Sequence, residues 1–352
     1  MQLKKNAVVL GIETSCDETA VGIVKGGRKI LADEIISSAA EHVRFGGVVP
    51  EIASRAHTEA VLEATKRALG AAGMSFGDID AIAVTYGAGL LGALLVGVSF
   101  AKGLAYALDK PLVAVNHIRG HIAAAYLADE ELEPPFVTLL ASGGHTAVIR
   151  VKDYLGHEVL GSTLDDAAGE AFDKTARVLG LEYPGGPNVE KLARQGKNVI
   201  KFPAMLKGSH TYDFSYSGLK TSVVNYVHSK RQKGEAFSAA DVAASFQSAA
   251  LDVLAEKLFA AARAVGAKTV TAGGGVSANG YLRELLSRRA EQEDVKLVLP
   301  ERRYCTDNAC MIAAEGYIQY INGNFAGLDL NAKASIPLRN ALNGGKNNDQ
   351  HI

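Results

Sequence analysis

Two segments of the sequence repeat one pattern, and this repeat constrains the fold more than any other feature. Residues 7–24 read AVVLGIETSCDETAVGIV, and residues 136–151 read FVTLLASGGHTAVIRV. Each has an apolar run, a short polar turn, and a second apolar run that begins at Thr-Ala-Val, which is typical of a strand–turn–strand unit. Its recurrence indicates an internal duplication, with two unrelated hairpins as the alternative.

The remainder of the chain is predicted to alternate between helices and strands. Glycine clusters stand next to apolar, β-branched runs, which is typical of strand–turn–helix units. Helices are predicted at 50–72, 89–108, 117–129, 166–180, 188–195, 238–265, 279–292 and 307–322. Further strands are predicted at 80–86, 112–116, 158–162, 268–273 and 295–299. The alternation after residue 238 favours a mostly parallel sheet.

These elements predict an α/β protein of two lobes with a cleft between them. The N-terminal lobe is predicted at 1–115 and the C-terminal lobe at 116–342. Residues 197–235 are polar, aromatic and irregular in pattern, and are predicted to form an insertion or lid in the second lobe. Residues 343–352 lack an apolar pattern and are predicted to be a disordered tail.

The composition excludes some classes of protein and leaves others open. The chain has 352 residues, 48% of them hydrophobic, which is enough for two domains. Lys and Arg number 37 against 38 Asp and Glu, so the charge of −1 neither supports nor excludes a nucleic-acid partner. Three scattered cysteines give neither a disulfide framework nor a Cys-rich zinc site. With no signal-peptide pattern, and with residues 90–108 interpreted as a buried helix, a cytoplasmic enzyme without a membrane span is expected.

A histidine pair is the first candidate for a metal site. His117 and His121 are four residues apart on a predicted helix, so both imidazoles lie on one face and can share a cation. The zinc-protease motif HExxH places a glutamate after its first histidine. Ile118 stands at that position here, which argues against the protease mechanism. Two polar helix residues facing water or a polar core are the alternative.

Asp307, in the stretch CTDNACMIAAE, is the best candidate for a third ligand. Two histidines and one carboxylate leave open positions on zinc or ferrous iron for a substrate oxygen. Thr306 and Asp307 also stand where an N-cap of the following helix is expected. The sequence leaves the capping and ligand roles of Asp307 open.

Two glycine-rich turns are candidates for phosphate or nucleotide binding. Ser142, Gly143 and Gly144 stand between two predicted strands, where backbone N–H groups can surround a phosphate. The segment GGGVSAN, which ends at Asn279, follows a strand and opens a helix, a position that suits a nucleotide. Each turn alone is a weak signal because tight turns need glycine in any case.

The corresponding turn of the first repeat is a third candidate. Thr14 and Ser15 supply hydroxyl groups for a phosphate, and Asp17 and Glu18 supply carboxylates for a cation. No residue is identified as a general base. Asp17 and Glu18 are candidates, although a structural or cation-binding role explains them equally well.

The stretch LDDAAGEAFDK and the turn YPGGP contribute further candidates. Asp165 and Asp166 stand where acids complement the dipole of the following helix. Asp173 lies two turns further on, where that reason fades, so it is the better candidate for ligand binding. Gly186 belongs to a rigid turn that can pack against a ribose.

The motifs together resemble one known family. GIETSCDET, FGGVVPEIASRAH, GLLGALLVG, NHIRGH, SGGHT, LDDAAGEAFDK, YPGGP, FSYSGLKT, GGGVSAN and CTDN occur in this order between about residues 7 and 338. In these motifs the chain resembles the bacterial TsaD family of tRNA adenosine threonylcarbamoyltransferases. The resemblance implies the duplicated actin-like fold (ASKHA, RNase H-like), in agreement with the internal repeat.

The resemblance also implies a set of ligands. It implies that His117, His121 and Asp307 hold Fe²⁺ or Zn²⁺. It implies that threonylcarbamoyl-AMP, with ATP or ADP as alternative occupants, is bound by Leu140, Ala141, Ser142, Gly143, Gly144, Asp173, Gly186 and Asn279.

The implied reaction moves the threonylcarbamoyl group to the N6 amine of adenine 37 in ANN-decoding tRNAs and releases AMP. The implied partners are tRNA, a degenerate actin-like paralogue (TsaB-like) and a P-loop ATPase (TsaE-like). The alternatives are a nucleotide-dependent kinase or ATPase and a non-catalytic interaction subunit on the same fold. The histidine pair counts against the kinase, and the retained ligand residues count against the subunit.

Overall fold

The hairpin predicted at residues 7–24 lies at the centre of a five-stranded sheet in the computed structural model, which describes residues 3–342. The first two strands pair antiparallel, from Val8 opposite Lys25 to Glu13 opposite Ala20. The strand order is β3-β2-β1-β4-β5, with β4 parallel to β1 and β5 parallel to β4. The strands are β1 (Val8–Glu13), β2 (Glu18–Lys25), β3 (Lys29–Ser37), β4 (Ala81–Gly87) and β5 (Leu112–Asn116).

The hairpin predicted at 136–151 lies at the centre of a second sheet with the same arrangement. Its strands are β6 (Phe136–Ala141), β7 (Thr146–Val151), β8 (His157–Ser162), β9 (Thr269–Gly273) and β10 (Lys296–Val298). The order β8-β7-β6-β9-β10 repeats that of the first sheet, and β9 and β10 are parallel strands as predicted. Both sheets are mixed, because each contains an antiparallel hairpin beside parallel strands. The predicted duplication is confirmed by this matching order.

The helices lie close to the positions predicted from the sequence. They are α1 (Ala39–His42), α2 (Pro50–Ala72), α3 (Leu91–Leu108), α4 (His117–Ala128), α5 (Ala168–Leu179), α6 (Gly185–Ala193), α7 (Ser217–Gln232), α8 (Ala239–Val265), α9 (Gly280–Glu293), α10 (Ala309–Ile321) and α11 (Leu338–Leu342). The eight predicted helices differ from their counterparts by at most a few residues at either end.

The chain divides into two compact units, each built on one sheet. The first consists of Met1–Pro134, Lys152–His157 and Arg303–Ile352, and the second of Pro135–Val151 and Glu158–Arg302. The predicted boundary between residues 115 and 116 therefore falls inside the first unit. The reason is that α4 and α10 both pack against strands of the first sheet. The predicted tail at 343–352 lies outside the described residues.

Glycines allow α10 to lie directly on the first sheet and on α4. A Cβ atom at Gly22 of β2 would stand 2.7 Å from the backbone nitrogen of Cys310. A Cβ atom at Gly120 of α4 would stand 2.7 Å from Cδ1 of Ile312. Real Cβ atoms do not approach other atoms this closely. A larger residue at Gly22 would meet backbone and push α10 outward, whereas one at Gly120 would meet the end of the Ile312 side chain, which can move. This packing fixes the beginning of α10, which Asp307 precedes.

One helix in the described residues is long and apolar enough to cross a membrane by length and composition. α3 has a mean hydropathy of 1.7, and a third of its residues are buried. Core helices of soluble proteins have the same properties, so the helix is weak evidence for a span. The expectation of a buried helix holds only for the face toward α2 and β4, since Leu91, Leu95 and Tyr106 are exposed.

The core of the second unit is organised around α8. Most residues of this 27-residue helix are buried, and Phe246 meets Phe172 of α5 edge-on with 4.9 Å between ring centroids. The predicted insertion at 197–235 contains the 16-residue helix α7, whose residues Leu219, Val223 and Val227 are buried at a four-residue spacing. The prediction of an irregular segment is therefore wrong for α7, where apolar residues at helical spacing face the core.

Candidate functional site

The two histidines of α4 and the aspartate before α10 lie together in the first unit. Asp307 Oδ1 is 3.5 Å from His117 Nε2 and 3.4 Å from His121 Nε2. The imidazole rings are 4.6 Å apart between centroids and cross at 80°. One ligand atom from each of the three residues lies within 4.8 Å of the others. The structure thus brings together the three residues predicted as ligands.

The chemistry of this cluster fits a divalent cation. Both ring nitrogens of His121 are buried and have no hydrogen-bond partner among the residues that the structure describes. Buried polar atoms normally have a partner, so an unpaired imidazole nitrogen facing a carboxylate suits a metal ligand. Two imidazoles and one carboxylate suit zinc or ferrous iron. The cluster is therefore a candidate metal centre.

Asparagine side chains cap both helices that carry the cluster. Asn116 Oδ1 accepts a hydrogen bond of 2.9 Å from the backbone nitrogen of Ile118 at the start of α4. Asn308 Oδ1 accepts one of 2.9 Å from the backbone nitrogen of Met311 at the start of α10. The expectation that Thr306 or Asp307 caps α10 is wrong, because Asn308 holds that position. The capping explanation of Asp307 is thereby removed.

A buried carboxylate that the sequence reasoning missed lies behind His117. Glu13 ends β1 and is 0% exposed. Its Oε1 accepts a 2.5 Å hydrogen bond from the Ser15 backbone nitrogen, and its Oε2 accepts one of 2.6 Å from Thr85 Oγ1. The same Oε2 is 3.1 Å from His117 Nδ1. The available signal was an acidic residue at the end of an otherwise apolar strand.

The charges of the cluster perturb each other strongly. Burial alone would raise the pKa of Asp307, but the neighbouring histidines outweigh burial and hold this pKa far below its ordinary value. Burial opposes the charged form of His117, yet the carboxylates of Glu13 and Asp307 raise its pKa above the ordinary value. Burial and the nearby His117 lower the pKa of His121. The three candidate ligands are therefore coupled to each other electrostatically.

The hydroxyl groups of the first turn have partners inside the protein. Thr14 Oγ1 donates a hydrogen bond of 3.0 Å to the carbonyl oxygen of Ala93. Ser15 Oγ lies 3.2 Å from His117 Nδ1. Both residues are buried, so in this structure their hydroxyls connect the turn to α3 and α4.

The two acids of the same turn lie beside each other. Burial, and then the neighbouring Asp17, raise the pKa of Glu18 to about 9. Burial and the contact with Asp17 thus disfavour the ionised form of Glu18. His57 of α2 supports the turn, because its ring nitrogens contact Thr19 Oγ1 at 2.8 Å and the Cys16 carbonyl oxygen at 3.0 Å.

In the second unit, the ends of β6 and β9 lie side by side. Leu140 pairs with Gly273 in parallel register, so the loops after both strands emerge at one edge of the sheet. Gly274 has φ +89°, and a Cβ atom there would lie 2.7 Å from the carbonyl carbon of Ala141. Only glycine fits this position without strain. The two glycine-rich turns predicted from the sequence are therefore neighbours.

The loop after β6 combines a fixed base with an open tip. The Ser142 backbone nitrogen donates to the His145 carbonyl oxygen at 2.8 Å, and Ser142 Oγ accepts from the His145 nitrogen at 3.1 Å. The Gly169 nitrogen donates to the Ser142 carbonyl oxygen at 3.1 Å. A Cβ atom at Gly143 or Gly144 would meet no atom within 4 Å. A ligand therefore has room to approach the backbone at the tip.

Asp173 and the YPGGP turn also come together in the second unit. Asp173 Oδ1 accepts a 2.9 Å hydrogen bond from the backbone nitrogen of Gly185, at the start of α6. A Cβ atom at Gly185 would lie 2.6 Å from the Asp173 Cα atom, so the contact requires glycine. Gly186 follows in the first turn of the same helix. Burial raises the pKa of Asp173.

Asn279 lies at the start of α9 beside a cavity of the second unit. Its Oδ1 accepts from the Leu282 nitrogen at 3.2 Å, and its Nδ2 donates to Gln247 Oε1 at 2.9 Å. The cavity has a volume of about 680 Å³ and is lined by Glu190, Ala193, Arg194, Gly196, Asn198, Ala244, Gln247, Ser248, Gly280, Tyr281, Glu284 and Arg302. The sequence reasoning missed these lining residues, since they come from four separate segments and form no local motif.

Comparisons with known proteins identify the family of the chain. The sequence profile of TsaD, tRNA N6-adenosine threonylcarbamoyltransferase, matches residues 29–314. The chain is 52% identical to the tRNA N6-adenosine threonylcarbamoyltransferase of Moorella thermoacetica, over 96% of this chain and 99% of the relative. It is 50% identical to the enzyme of the same name from Clostridium perfringens, over 94% of this chain and 98% of the relative.

A solved structure supports the fold independently. HypF from T. kodakarensis matches 94% of this chain and 50% of HypF with a TM-score of 0.62 at 18% identity. At that identity the likeness shows the fold alone, and with the repeated strand order it confirms the predicted duplicated actin-like fold. The two relatives, which are 50% and 52% identical to the chain over almost its whole length, then assign it to a family. The chain belongs to the TsaD family of tRNA N6-adenosine threonylcarbamoyltransferases.

Proposed function

We propose that this chain transfers the threonylcarbamoyl group of threonylcarbamoyl-AMP to the N6 amine of adenine 37 in ANN-decoding tRNAs. The amine nitrogen attacks the carbamoyl carbon, and the bond from that carbon to the phosphate oxygen breaks. AMP leaves with the electron pair, and the amine loses a proton. The clustering of His117, His121 and Asp307 in a member of this family carries the proposal.

The three clustered residues would hold one divalent cation, Fe²⁺ or Zn²⁺. The unpaired ring nitrogens of His121 and the short distances from Asp307 to both imidazoles support this role. When bound, the cation supplies Lewis-acid polarisation of a carbonyl, or an anchor for the threonyl carboxylate and hydroxyl. The protein positions the ligands through the two capped helices α4 and α10.

The glycine-rich edge of the second sheet would bind the adenylate. Gly143 and Gly144 offer backbone N–H groups in open space, which suits the phosphate. Asp173, Gly186 and Asn279 would contact the ribose and base, since a cavity of nucleoside size adjoins α6 and the start of α9. ATP or ADP would occupy the same residues. Holding the adenylate in one orientation makes the attack effectively intramolecular.

The partners would bind the first unit. Apolar side chains on the surfaces of α2 and α3, namely Leu62, Leu91, Leu95 and Tyr106, are exposed. Exposed apolar patches are typical of protein interfaces, so this surface would receive a TsaB-like paralogue, with a TsaE-like ATPase as a further partner. We place the enzyme in the cytoplasm, where its tRNA substrate is found.

The test is transfer of labelled threonine from preformed threonylcarbamoyl-AMP to an ANN-decoding tRNA. The wild-type protein should label the tRNA, and a tRNA with guanosine at position 37 should remain unlabelled. The His121→Ala variant should lose about 100-fold or more of the rate, because a ligand is removed outright. The exposed His210 lies in the second unit, and His210→Ala is the matched control.

Three outcomes would contradict the proposal. Full transfer by a His117→Ala/His121→Ala double variant, with metal shown to be absent, would exclude the metal role. Nucleotide hydrolysis without transfer to any tRNA would favour the kinase or ATPase alternative. Equal labelling of tRNAs with and without adenosine at position 37 would exclude the proposed acceptor.

A further inference from the structure

The buried glutamate of β1 has no role in the proposed transfer reaction. Glu13 is fully buried, and a buried carboxylate is costly unless hydrogen bonds or an opposite charge compensate it. Two donors, the Ser15 backbone nitrogen and Thr85 Oγ1, hold one oxygen each. Among the described residues, the ionisable group in contact with Glu13 is His117. The arrangement directs the carboxylate at one nitrogen of this imidazole.

The contact decides which nitrogen of His117 carries the proton. An ionised carboxylate only accepts hydrogen bonds, so Nδ1 at 3.1 Å from Glu13 Oε2 must carry hydrogen. If Nδ1 were instead unprotonated, its lone pair would face the carboxylate oxygen. Ser15 Oγ, at 3.2 Å from the same nitrogen, can accept from Nδ1–H as a second partner. The lone pair of a neutral His117 is then at Nε2, which faces Asp307 at 3.5 Å.

We propose that Glu13 is a positioning residue that fixes His117 as an Nε2 metal ligand. This inference rests on the metal site of the proposed function. An imidazole held by a carboxylate through its distal nitrogen has a fixed ring orientation and a more basic ligand nitrogen. Glu13 therefore raises the affinity of the site for a cation without touching the cation.

The two histidine ligands are not equivalent in this respect. His121 Nδ1 is buried and has no hydrogen-bond partner among the described residues, so no comparable acceptor fixes its tautomer. Of the two histidines, His117 is thus the one whose ring is held in place before a metal binds. Glu13, Thr85 and His117 come from β1, β4 and the start of α4, so the sheet itself carries the support.

The experiment is a calorimetric titration of the metal-free protein with Zn²⁺ in the absence of tRNA and nucleotide. Glu13→Gln should weaken Zn²⁺ binding by about 10- to 100-fold, the effect typical of removing such a carboxylate. Ser15→Ala is the matched variant, because it removes the other contact to His117 Nδ1 and leaves the carboxylate. It should change the affinity by less than about 3-fold.

Nitrogen chemical shifts of labelled histidine in the zinc-loaded protein give a second readout. The wild-type protein should show His117 protonated at Nδ1 and bound through Nε2. Thr85→Val removes one donor to Glu13 with little change of shape. It should weaken Zn²⁺ binding, but less than Glu13→Gln does. This milder variant keeps the test decisive if Glu13→Gln does not fold.

The outcomes separate this inference from the proposed function. A wild-type protein that binds no Zn²⁺, Fe²⁺ or Co²⁺ would overturn the metal site itself. Wild-type affinity in folded Glu13→Gln, or zinc bound through Nδ1 of His117, would overturn the positioning role and leave the metal site standing. A larger loss in Ser15→Ala than in Glu13→Gln would assign the role to the hydroxyl instead.

Discussion

Arg119 of α4 and Glu315 of α10 form a buried ion pair, with 2.5 Å between Arg119 Nε and Glu315 Oε1. The guanidinium also donates to the carbonyl oxygens of Tyr154, Leu155 and Leu342. Arg119 follows His117 by two residues, so it points away from the candidate metal ligands while joining α4 to α10. The ion pair therefore fixes α4, which carries both histidines, against α10, which Asp307 precedes.

Breaking this pair from one side should destabilise the protein strongly. Arg119→Met removes the charged partner of the buried Glu315, and we expect a loss of about 3–5 kcal/mol in the free energy of unfolding. The double variant Arg119→Met/Glu315→Leu should lose less than Arg119→Met alone, because it buries no unpaired charge. Equilibrium unfolding in urea measures both values. A double variant that is less stable than the single variant would contradict this account.

The glycine contact beneath α10 should be sensitive to a single methyl group. Gly22→Ala places a Cβ atom 2.7 Å from the backbone nitrogen of Cys310. Because this neighbour is a backbone atom, no side-chain rotation relieves the clash. We expect a loss of about 1–3 kcal/mol and weaker metal binding, because α10 and Asp307 must shift. Urea unfolding and zinc titration measure the two effects.

The matched control lies on the surface of α3. A Cβ atom at Gly103 would meet no atom within 4 Å, so Gly103→Ala should be neutral or stabilise by up to about 1 kcal/mol. Equal effects of Gly22→Ala and Gly103→Ala would show that helix and strand propensity, and not the contact with α10, determines the result.

Asp165 is predicted to hold the start of α7. Its carboxylate accepts from the backbone nitrogens of Tyr216 at 2.7 Å and Ser217 at 3.3 Å, and from Ser215 Oγ at 2.6 Å. Asp165→Ala should cost about 1–2 kcal/mol, as loss of a capping side chain does, and Asp165→Asn should cost less. Hydrogen exchange should accelerate in α7 and remain unchanged in α9. Uniform acceleration in both helices would contradict a local capping role.

His157 should make the protein less stable in acid. Burial, and then the charge of Arg119, lower the pKa of this imidazole to about 3, against an ordinary value of 6.5. Between these values the unfolded chain binds a proton that the folded protein does not, so the free energy of unfolding falls as pH falls below about 6.5. His157→Gln should therefore reduce the slope of the free energy of unfolding against pH. The reduction is at most the contribution of one proton, about 1.4 kcal/mol per pH unit.

The measurement is urea unfolding at several pH values between 4 and 7 for wild type, His157→Gln and the exposed control His210→Gln. The control should keep the slope of the wild-type protein. An unchanged slope in His157→Gln would show that His157 is not the residue that loses its proton on folding.

The sequence predicted the elements of the fold better than the details of their ends. The helix at 50–72 matches α2, because Pro50 starts it and Gly73 ends it with φ +62°. The cap of α10 was missed by one residue, since Thr306, Asp307 and Asn308 all have capping side chains. The helix α7 was missed because hydroxyl and charged residues at its exposed positions obscure the helical spacing of the buried Leu219, Val223 and Val227.

The candidate metal site could be predicted because its histidines are neighbours on one helix. The position of Asp307 relative to them depends on the close packing of α10 on the sheet, which no local pattern reveals. Glu13 was not predicted for the same reason: the contact with His117 joins residues about 100 positions apart. The partners of Asp165 are likewise distant in sequence, so its role at α7 required the structure.

The division of the first unit into separate segments has a consequence for synthesis on the ribosome. Roughly 190 residues separate His121 from Asp307, and α10, which covers β1 and β2, is made after all of them. At 5–20 residues per second, the ribosome needs roughly 10 to 40 s for that interval. During this time the nascent chain exposes the apolar surface that α10 later covers and lacks one of its three candidate metal ligands. We expect chaperones to bind this nascent surface, and metal to be acquired only after the second unit has been translated.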